Sequence, residues 1–344
     1  MIFFDVTKAR GAGHRSGLMR VSARLAEELG AAVTPVRWPA WDRQMAADDW
    51  FLTGELFSGE ERPGFDDFLA AGPGRKAAIF HDAIPLKFPQ ITWPQSVARH
   101  PGYLKLLAKF DQVWAVSAAS LEELAGFWRW QGLARVPAVA VLGLGADLGP
   151  GPRRRRTDAA KRAAALISVG ILEPRKNQAL LLDVAEGLWG EGLAFELHLV
   201  GRVNPFFGKP ILNRVRALAK RHPGLRYHAE ADDTAVGQLY ARCRASVFPT
   251  IAEGCGLPLL ESLWQGVPCV CSDLPVLREN ADDGGCMAVA VDDRAAWTEA
   301  LRRVLTDEEC VAQLEAGAAN RMLPTWAEAA ETLRAGLSRR LRVS

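Results

Sequence analysis

Short apolar runs and helix-spaced stretches alternate along both halves of the chain, the pattern of a mostly parallel sheet covered by helices. Ile2 to Val6 is the first strand-like run. A glycine-rich loop follows, and Leu18, Val21, Leu25 and Leu29 then fall on one face of a predicted helix. Residues 76–82 read as a strand ending in His81-Asp82, and Asp111 to Val116 as another, with a helix from about Ser120. Val136 to Leu142 closes the first half. The alternation restarts at Ala165 to Val169, continues with a helix from roughly Gln178 and strands at Phe195 to Val200 and Leu225 to His228, and reaches the apolar run Ala245 to Phe248. Trp326 to Leu341 predicts a final amphipathic helix.

The densest chemistry lies between Phe248 and Glu279. Pro249 stops the apolar run, a glycine-rich turn carries Glu253, and Pro258 suits the first position of a helix ending near Gly266. The backbone N–H groups of Gly256 and Leu257 are free at that helix start, and the glycines let another molecule's oxygens come close, as a diphosphate requires. Glu253 and Glu261 flank the same junction. Two carboxylates repel a phosphate, so they are better suited to accept hydrogen bonds from the hydroxyls of a sugar and a ribose. Arg175 and Lys176 follow the strand Ala165 to Val169 and form a second part of an anion site, Arg forking onto two oxygens and Lys acting as a point charge. His81 stands at the carboxyl end of its strand, where open α/β sheets bind ligands.

These residues resemble the signature of the retaining family 4 glycosyltransferases. The matching positions are Glu253, Gly256-Leu257-Pro258, Glu261, Gly266-Val267-Pro268, and Ser272, Pro275 and Glu279, with Cys255 where the family usually has an aromatic residue. Arg175 and Lys176 match the family's phosphate-binding pair, and Gly17 and Arg20 its loop after the first strand. His81 matches a strand-end His near the donor sugar, and its His-Asp-x-x-Pro form is similar to bacterial polysaccharide mannosyltransferases. Asp82 is suited to orient the imidazole. Gly145-Ala146-Asp147 resembles the family's Asn-Gly-x-Asp turn with Leu144 in place of the Asn, and residues 227–231 fall at its base-binding loop.

The resemblance implies an α/β chain of GT-B architecture, two Rossmann-like domains facing each other across a cleft. Residues 1–150 with a returning C-terminal helix, 326–344, form the acceptor-side domain, and 151–325 bind the nucleotide sugar. It implies transfer of a hexosyl unit with retention, mannose from GDP-mannose being the best match, to a polysaccharide or lipid-linked oligosaccharide. Other expectations from it are a UDP- or other nucleotide sugar as donor, or a catalytically silent binding subunit. Catalytic roles fall on Glu253, His81, Arg175 and Lys176, and donor binding on Gly17, Arg20, Gly256, Leu257 and Glu261. No Asp-x-Asp occurs in the chain, so neither a metal nor another cofactor is expected.

Composition narrows this picture at a few points. With 344 residues, 49% hydrophobic and 24% charged, the chain suits two globular domains. It opens into a strand without a signal-like segment and has no membrane-spanning stretch, which makes a cytoplasmic location the expectation. The net charge is +2, and residues 151–165 hold six basic side chains against one acidic. Arg153 to Arg156 therefore read as a solvated linker or as a contact for anionic lipid at the inner face of a membrane. Neither domain is basic, and nucleic acid is not an expected partner. The glycines at 11, 13 and 17 do not form G-x-G-x-x-G, which argues against a dehydrogenase. The six cysteines lack C-x-x-C spacing, and Cys269 and Cys271 are expected in a strand core. Trp38, Trp41, Trp50 and Trp93 lie in Pro- or Asp-bearing segments suited to stacking on acceptor sugars.

Overall fold

In a computed structural model, residues 1–8, 17–149, 151–156, 158 and 162–338 are described. The first half contains β1 (Ile2–Asp5), α1 (Gly17–Leu29), β2 (Val33–Val36), β3 (Trp50–Thr53), α2 (Phe65–Ala71), β4 (Arg75–Phe80), α3 (Ile84–Lys87), α4 (Pro94–Leu107), β5 (Gln112–Ala115), α5 (Ala118–Trp130) and β6 (Ala138–Val141). The second contains β7 (Ala165–Val169), α6 (Gln178–Gly190), β8 (Glu196–Val200), α7 (Gly208–Arg221), β9 (Leu225–His228), α8 (Asp233–Arg242), β10 (Ala245–Phe248), α9 (Leu257–Trp264), β11 (Cys269–Ser272), α10 (Pro275–Ala281), β12 (Cys286–Val289), α11 (Arg294–Thr306) and α12 (Glu308–Asn320). The helix α13 (Trp326–Ser338) ends the described chain.

Two compact units result, Met1–Gly145 with Pro324–Ser344 and Ala146–Leu323. The first holds a six-stranded sheet ordered β2-β1-β3-β4-β5-β6, the second one ordered β12-β11-β10-β7-β8-β9, and every pairing in both is parallel. The central strands β3, β7 and β10 are buried or nearly so along their length, as strands covered on both faces must be. Each unit has its own apolar core. An aromatic cluster of Trp38, Phe51, Phe57, Phe65 and Phe68 anchors the first, and leucines of α6 with Trp297 of α11 fill the second. Trp38, Trp41 and Trp50 belong to the core of the first unit. Trp41 stacks on Phe51 at 5.7 Å, and Trp50 is the first residue of a central strand, so these three rings do not stack on a ligand.

The C-terminal helix α13 packs on α1 within the first unit. Trp326 is fully buried there, and a Cβ at Gly145 would come within 2.3 Å of its backbone nitrogen, so only glycine allows this approach. The Arg153 to Arg156 segment is not a solvated linker. The Arg154 N–H donates to the Trp264 carbonyl at 3.0 Å, Arg153 donates to the carbonyls of Ala318 and Arg321, and Arg156 to that of Ala241 at 2.8 Å. Those carbonyls lie at or just beyond the C-terminal ends of α8, α9 and α12, where acceptors are left over and cations are favoured. Two of the four arginines are thereby spent inside the second unit, and Arg154 and Arg155 stay exposed.

Candidate functional site

In the second unit, β7 and β10 are hydrogen-bonded neighbours, so the loops leaving their carboxyl ends emerge side by side. The loop after β7 closes in a 3-10 turn over Pro174–Lys176, and Asn177 takes a left-handed conformation to launch α6. The loop after β10 docks against it. Ile251 N–H donates to the Arg175 carbonyl at 2.9 Å, and Thr250 Oγ1 lies 3.1 Å from the same carbonyl.

Glu253 is the centre of this junction. Its Oε1 accepts from Lys176 Nζ at 2.6 Å, Thr250 Oγ1 at 2.7 Å and Arg175 Nη1 at 2.9 Å. Three donors converge on one oxygen, and Oε2 has no partner among the described residues. Arg175 is held on its other side by Glu173, with Nε to Oε1 at 3.0 Å, and by the Ala252 carbonyl at 2.8 Å. Asn204 in turn fixes Glu173 at 2.9 Å. Two cations are thus balanced by two carboxylates before any ligand arrives. Burial pushes the Glu253 carboxyl up, but Lys176 and Arg175 outweigh it and hold it below the usual carboxylate range. Burial pulls Lys176 down, and the facing Glu253 carboxylate offsets part of that.

The start of α9 adjoins this network. Gly256 adopts φ 86°, and a Cβ there would meet Leu277 at 2.5 Å, so the turn requires glycine. Among the described residues, the N–H groups of Gly256 and Leu257 have no acceptor, the state in which a helix start receives an anion. Glu261 lies on α9 and is buried, 3% exposed. Arg175, Lys176, Glu253, Gly256, Leu257 and Glu261 therefore share one end of one sheet.

The remaining expected residues belong to the first unit. His81 follows β4, and its Nε2 donates to the Gly54 carbonyl at 2.9 Å, which leaves Nδ1 as a lone-pair acceptor. That ring borders a cavity of about 320 Å³ lined also by Lys8, Glu55, Leu18, Met19 and Arg99. Asp82 does not orient the imidazole. Its Oδ1 accepts from the Ile84 N–H at 3.0 Å, and the Gly54 carbonyl holds the ring instead. Gly17 opens α1 and Arg20 is half-buried on it; the loop at 9–16 lies outside the described residues. Thr250, Glu173 and Gly54 are the participants that the sequence did not reveal; each has a contact to a distant segment, Thr250 to the Arg175 carbonyl, Glu173 to Asn204 and Gly54 to His81. No group of three or more His, Cys, Asp or Glu side chains among the described residues is arranged to hold a metal ion.

His81, His100, His198 and His228 all have pKa values depressed below the usual 6.5, burial being the largest cause in each. The unfolded chain therefore takes up protons on these groups before the folded chain does, so stability should fall as pH drops through about 6.5 toward the folded-state values. Thermal melts between pH 7.5 and 5.5 check this; a Tm that rises on acidification over that window contradicts it.

Residues 153–321 match the family model described as glycosyl transferases group 1. This region belongs to that family. The chain is similar to the serotype-specific mannosyltransferase WbdA of Escherichia coli, at 29% identity over 286 residues, 79% of this chain and 34% of that protein. Similarity extends to O-antigen chain mannosyltransferase B of Escherichia coli, 33% identical over 140 residues, 40% of this chain and 36% of that one. The chain spans about a third of the length of these relatives. Among solved structures, a sucrose-phosphate synthase from Thermosynechococcus elongatus matches with a TM-score of 0.75 at 16% identity over 97% of each chain. HepE of Anabaena, solved with UDP, matches at 0.69 and 16% over 98% of this chain and 99% of that one. The fold is the GT-B form of α/β architecture.

Proposed function

We propose that the chain is a retaining, metal-independent hexosyltransferase that moves mannose from GDP-mannose to a polysaccharide or lipid-linked oligosaccharide. The observation that carries the reading is the convergence of three donors on Glu253 Oε1 beside an open helix start, which leaves Oε2 available to sugar hydroxyls. The leaving diphosphate is assigned to the Gly256 and Leu257 N–H groups with Arg175 and Lys176, which stabilise the charge that develops as the glycosidic bond breaks. Glu261 is assigned to the ribose. His81 Nδ1 is assigned to a hydroxyl of the transferred sugar, with Gly17 and Arg20 toward the donor. The choice of mannose rests on the similarity to the mannosyltransferases named above.

The test is protection against thermal unfolding by a panel of GDP-, UDP-, ADP- and dTDP-sugars, followed by the anomeric configuration of the product formed from the best donor. Preferential stabilisation by GDP-mannose and a product of unchanged anomeric configuration are expected. A UDP-sugar as the best ligand overturns the donor, and an inverted product overturns retention.

Peripheral attachment to anionic membrane is proposed through Arg154 and Arg155, the two arginines of the run left exposed. No helix among the described residues is long and apolar enough to cross a membrane. Each cation near a charged surface contributes about 1 kcal/mol, so replacing both with Ser should lower co-sedimentation with anionic vesicles at low salt by more than tenfold. Unchanged co-sedimentation removes the membrane role.

A further inference from the structure

The first unit contains a buried charge cluster that no assigned role uses. Asp5 ends β1, Glu55 lies two residues past β3, and Arg62 forks between them, with Nη1 to Asp5 Oδ2 at 2.5 Å and Nη2 to Glu55 Oε2 at 2.5 Å. All three are buried, the Arg62 side chain being 1% exposed. Its guanidinium also lies 3.8 Å from the Phe57 ring centroid. Buried ion triads add little net stability over apolar packing of the same volume, so the use of one here calls for a geometric reason.

That reason is visible in what the carboxylates hold. Asp5 Oδ1 accepts from the Thr7 N–H at 3.1 Å and the Thr7 hydroxyl at 2.5 Å, and Glu55 Oε1 accepts from the Lys8 N–H at 2.6 Å. The cluster therefore fixes the last residues before the glycine-rich loop. Thr53 Oγ1 donates to Asp5 Oδ2 at 2.7 Å and accepts from the Glu55 N–H at 3.2 Å. Gly54 is thus held on both sides, and its carbonyl is the acceptor that orients His81. Space there is tight, since a Cβ on Gly54 would come within 2.9 Å of Ser22 Oγ.

We infer that Arg62 is a positioning residue for His81. By clamping Asp5 and Glu55 it sets the Gly54 carbonyl, keeps the imidazole proton on Nε2, and presents Nδ1 to the cavity as an acceptor. Without the fork the two carboxylates repel, the β3 end shifts, and the ring loses the partner that selects its tautomer. A neutral ring with its lone pair turned away cannot accept a sugar hydroxyl. The inference rests on the proposed role of His81 in glycosyl transfer, and its first readout does not.

The experiment uses the whole chain with Arg62→Lys, which keeps the charge and loses the fork. In the substrate-free protein, long-range 1H–15N spectra report the tautomer of His81, assigned by its loss in His81→Ala. Arg62→Lys is expected to replace the Nε2-H signature with a mixed one. Turnover should fall roughly 10- to 100-fold, the effect of a slightly misplaced group, while donor affinity is unchanged. His81→Ala in the Arg62→Lys background should cost little more, because both changes remove one function. An unaltered tautomer in folded Arg62→Lys, or losses that multiply independently, overturns the inference. If Arg62→Lys does not fold, Arg62→Gln, which breaks the same fork to Asp5 and Glu55, carries the same readouts with the same outcomes. If the wild-type chain transfers no sugar, the proposed function falls, and the tautomer measurement still decides whether Arg62 positions His81.

Discussion

Arg175→Ala is expected to lower kcat by roughly two orders of magnitude or more, the loss of about 2 to 4 kcal/mol of transition-state stabilisation that follows removal of one preorganised donor. The structure gives this variant two consequences. It removes the fork assigned to the diphosphate, and it releases Glu253 and Glu173, both of which Arg175 holds within 3.0 Å. Glu253 keeps Lys176 and Thr250, so its position is weakened and not abolished. Arg175→Lys should recover only a small part of the loss, because a lysine cannot reach Glu173, the Ala252 carbonyl and Glu253 together from one planar group. Steady-state kinetics with the best donor from the panel measure both variants. Turnover near wild type for a folded Arg175→Ala chain would remove the diphosphate role.

Much of this site was legible because its parts are local in sequence. The turn from Phe248 to Pro258 carries its own instructions: a proline ends the strand, Gly256 supplies the left-handed turn, and Pro258 opens the helix. The strands β7 and β10 were legible for the same reason, being mostly apolar runs between turn signals, and β8 and β9 as short segments mixing apolar with polar residues between such signals. Trp50–Thr53 was not. Its flanking Asp residues and the tryptophan read as an irregular segment, yet it is a central strand paired with β1 and β4, and burial between them decides its conformation. With β3 unseen, the Gly54 carbonyl behind His81 was out of reach, and Asp82, the adjacent residue, was the natural orienting group to expect.

The charge balance was equally hidden. Arg175 and Lys176 read as part of an anion site, and a sequence does not show that Glu253, 77 residues further on, lies 2.6 Å from Lys176. Arg153 to Arg156 read as a linker for the same reason, since their acceptors are backbone carbonyls of three separate helices. In both cases what the sequence left unread is what a cation is paired with and not where it lies in the chain. Unpaired charge is the weakest inference from sequence, because pairing is a property of the fold.

Glu253→Gln should depress turnover strongly while donor affinity stays level or improves. The carboxylate sits beside the proposed diphosphate position and neutralises Lys176 and Arg175. Removing its charge leaves Lys176 without that carboxylate and Arg175 with Glu173 alone, which favours ground-state binding of the phosphates, and removes the charged acceptor proposed to strengthen contacts to sugar hydroxyls as the transition state forms. A fall in kcat with an unchanged or lower donor Kd is the signature of an interaction made mainly in the transition state. Glu261→Ala should behave in the opposite way. Ribose contacts are much the same in ground and transition states, so their loss weakens donor binding and leaves kcat nearly intact. Because Glu261 is 3% exposed, its replacement also leaves a cavity, and a melt of the variant separates that stability cost from the binding effect. On the proposed assignment of the leaving-group charge to Arg175, Lys176 and the α9 N–H groups, activity should survive EDTA. Strict dependence on Mg²⁺ or Mn²⁺, together with a fully active Glu253→Gln enzyme, would show that the Glu253 network serves the fold of the second unit and that another group meets the sugar.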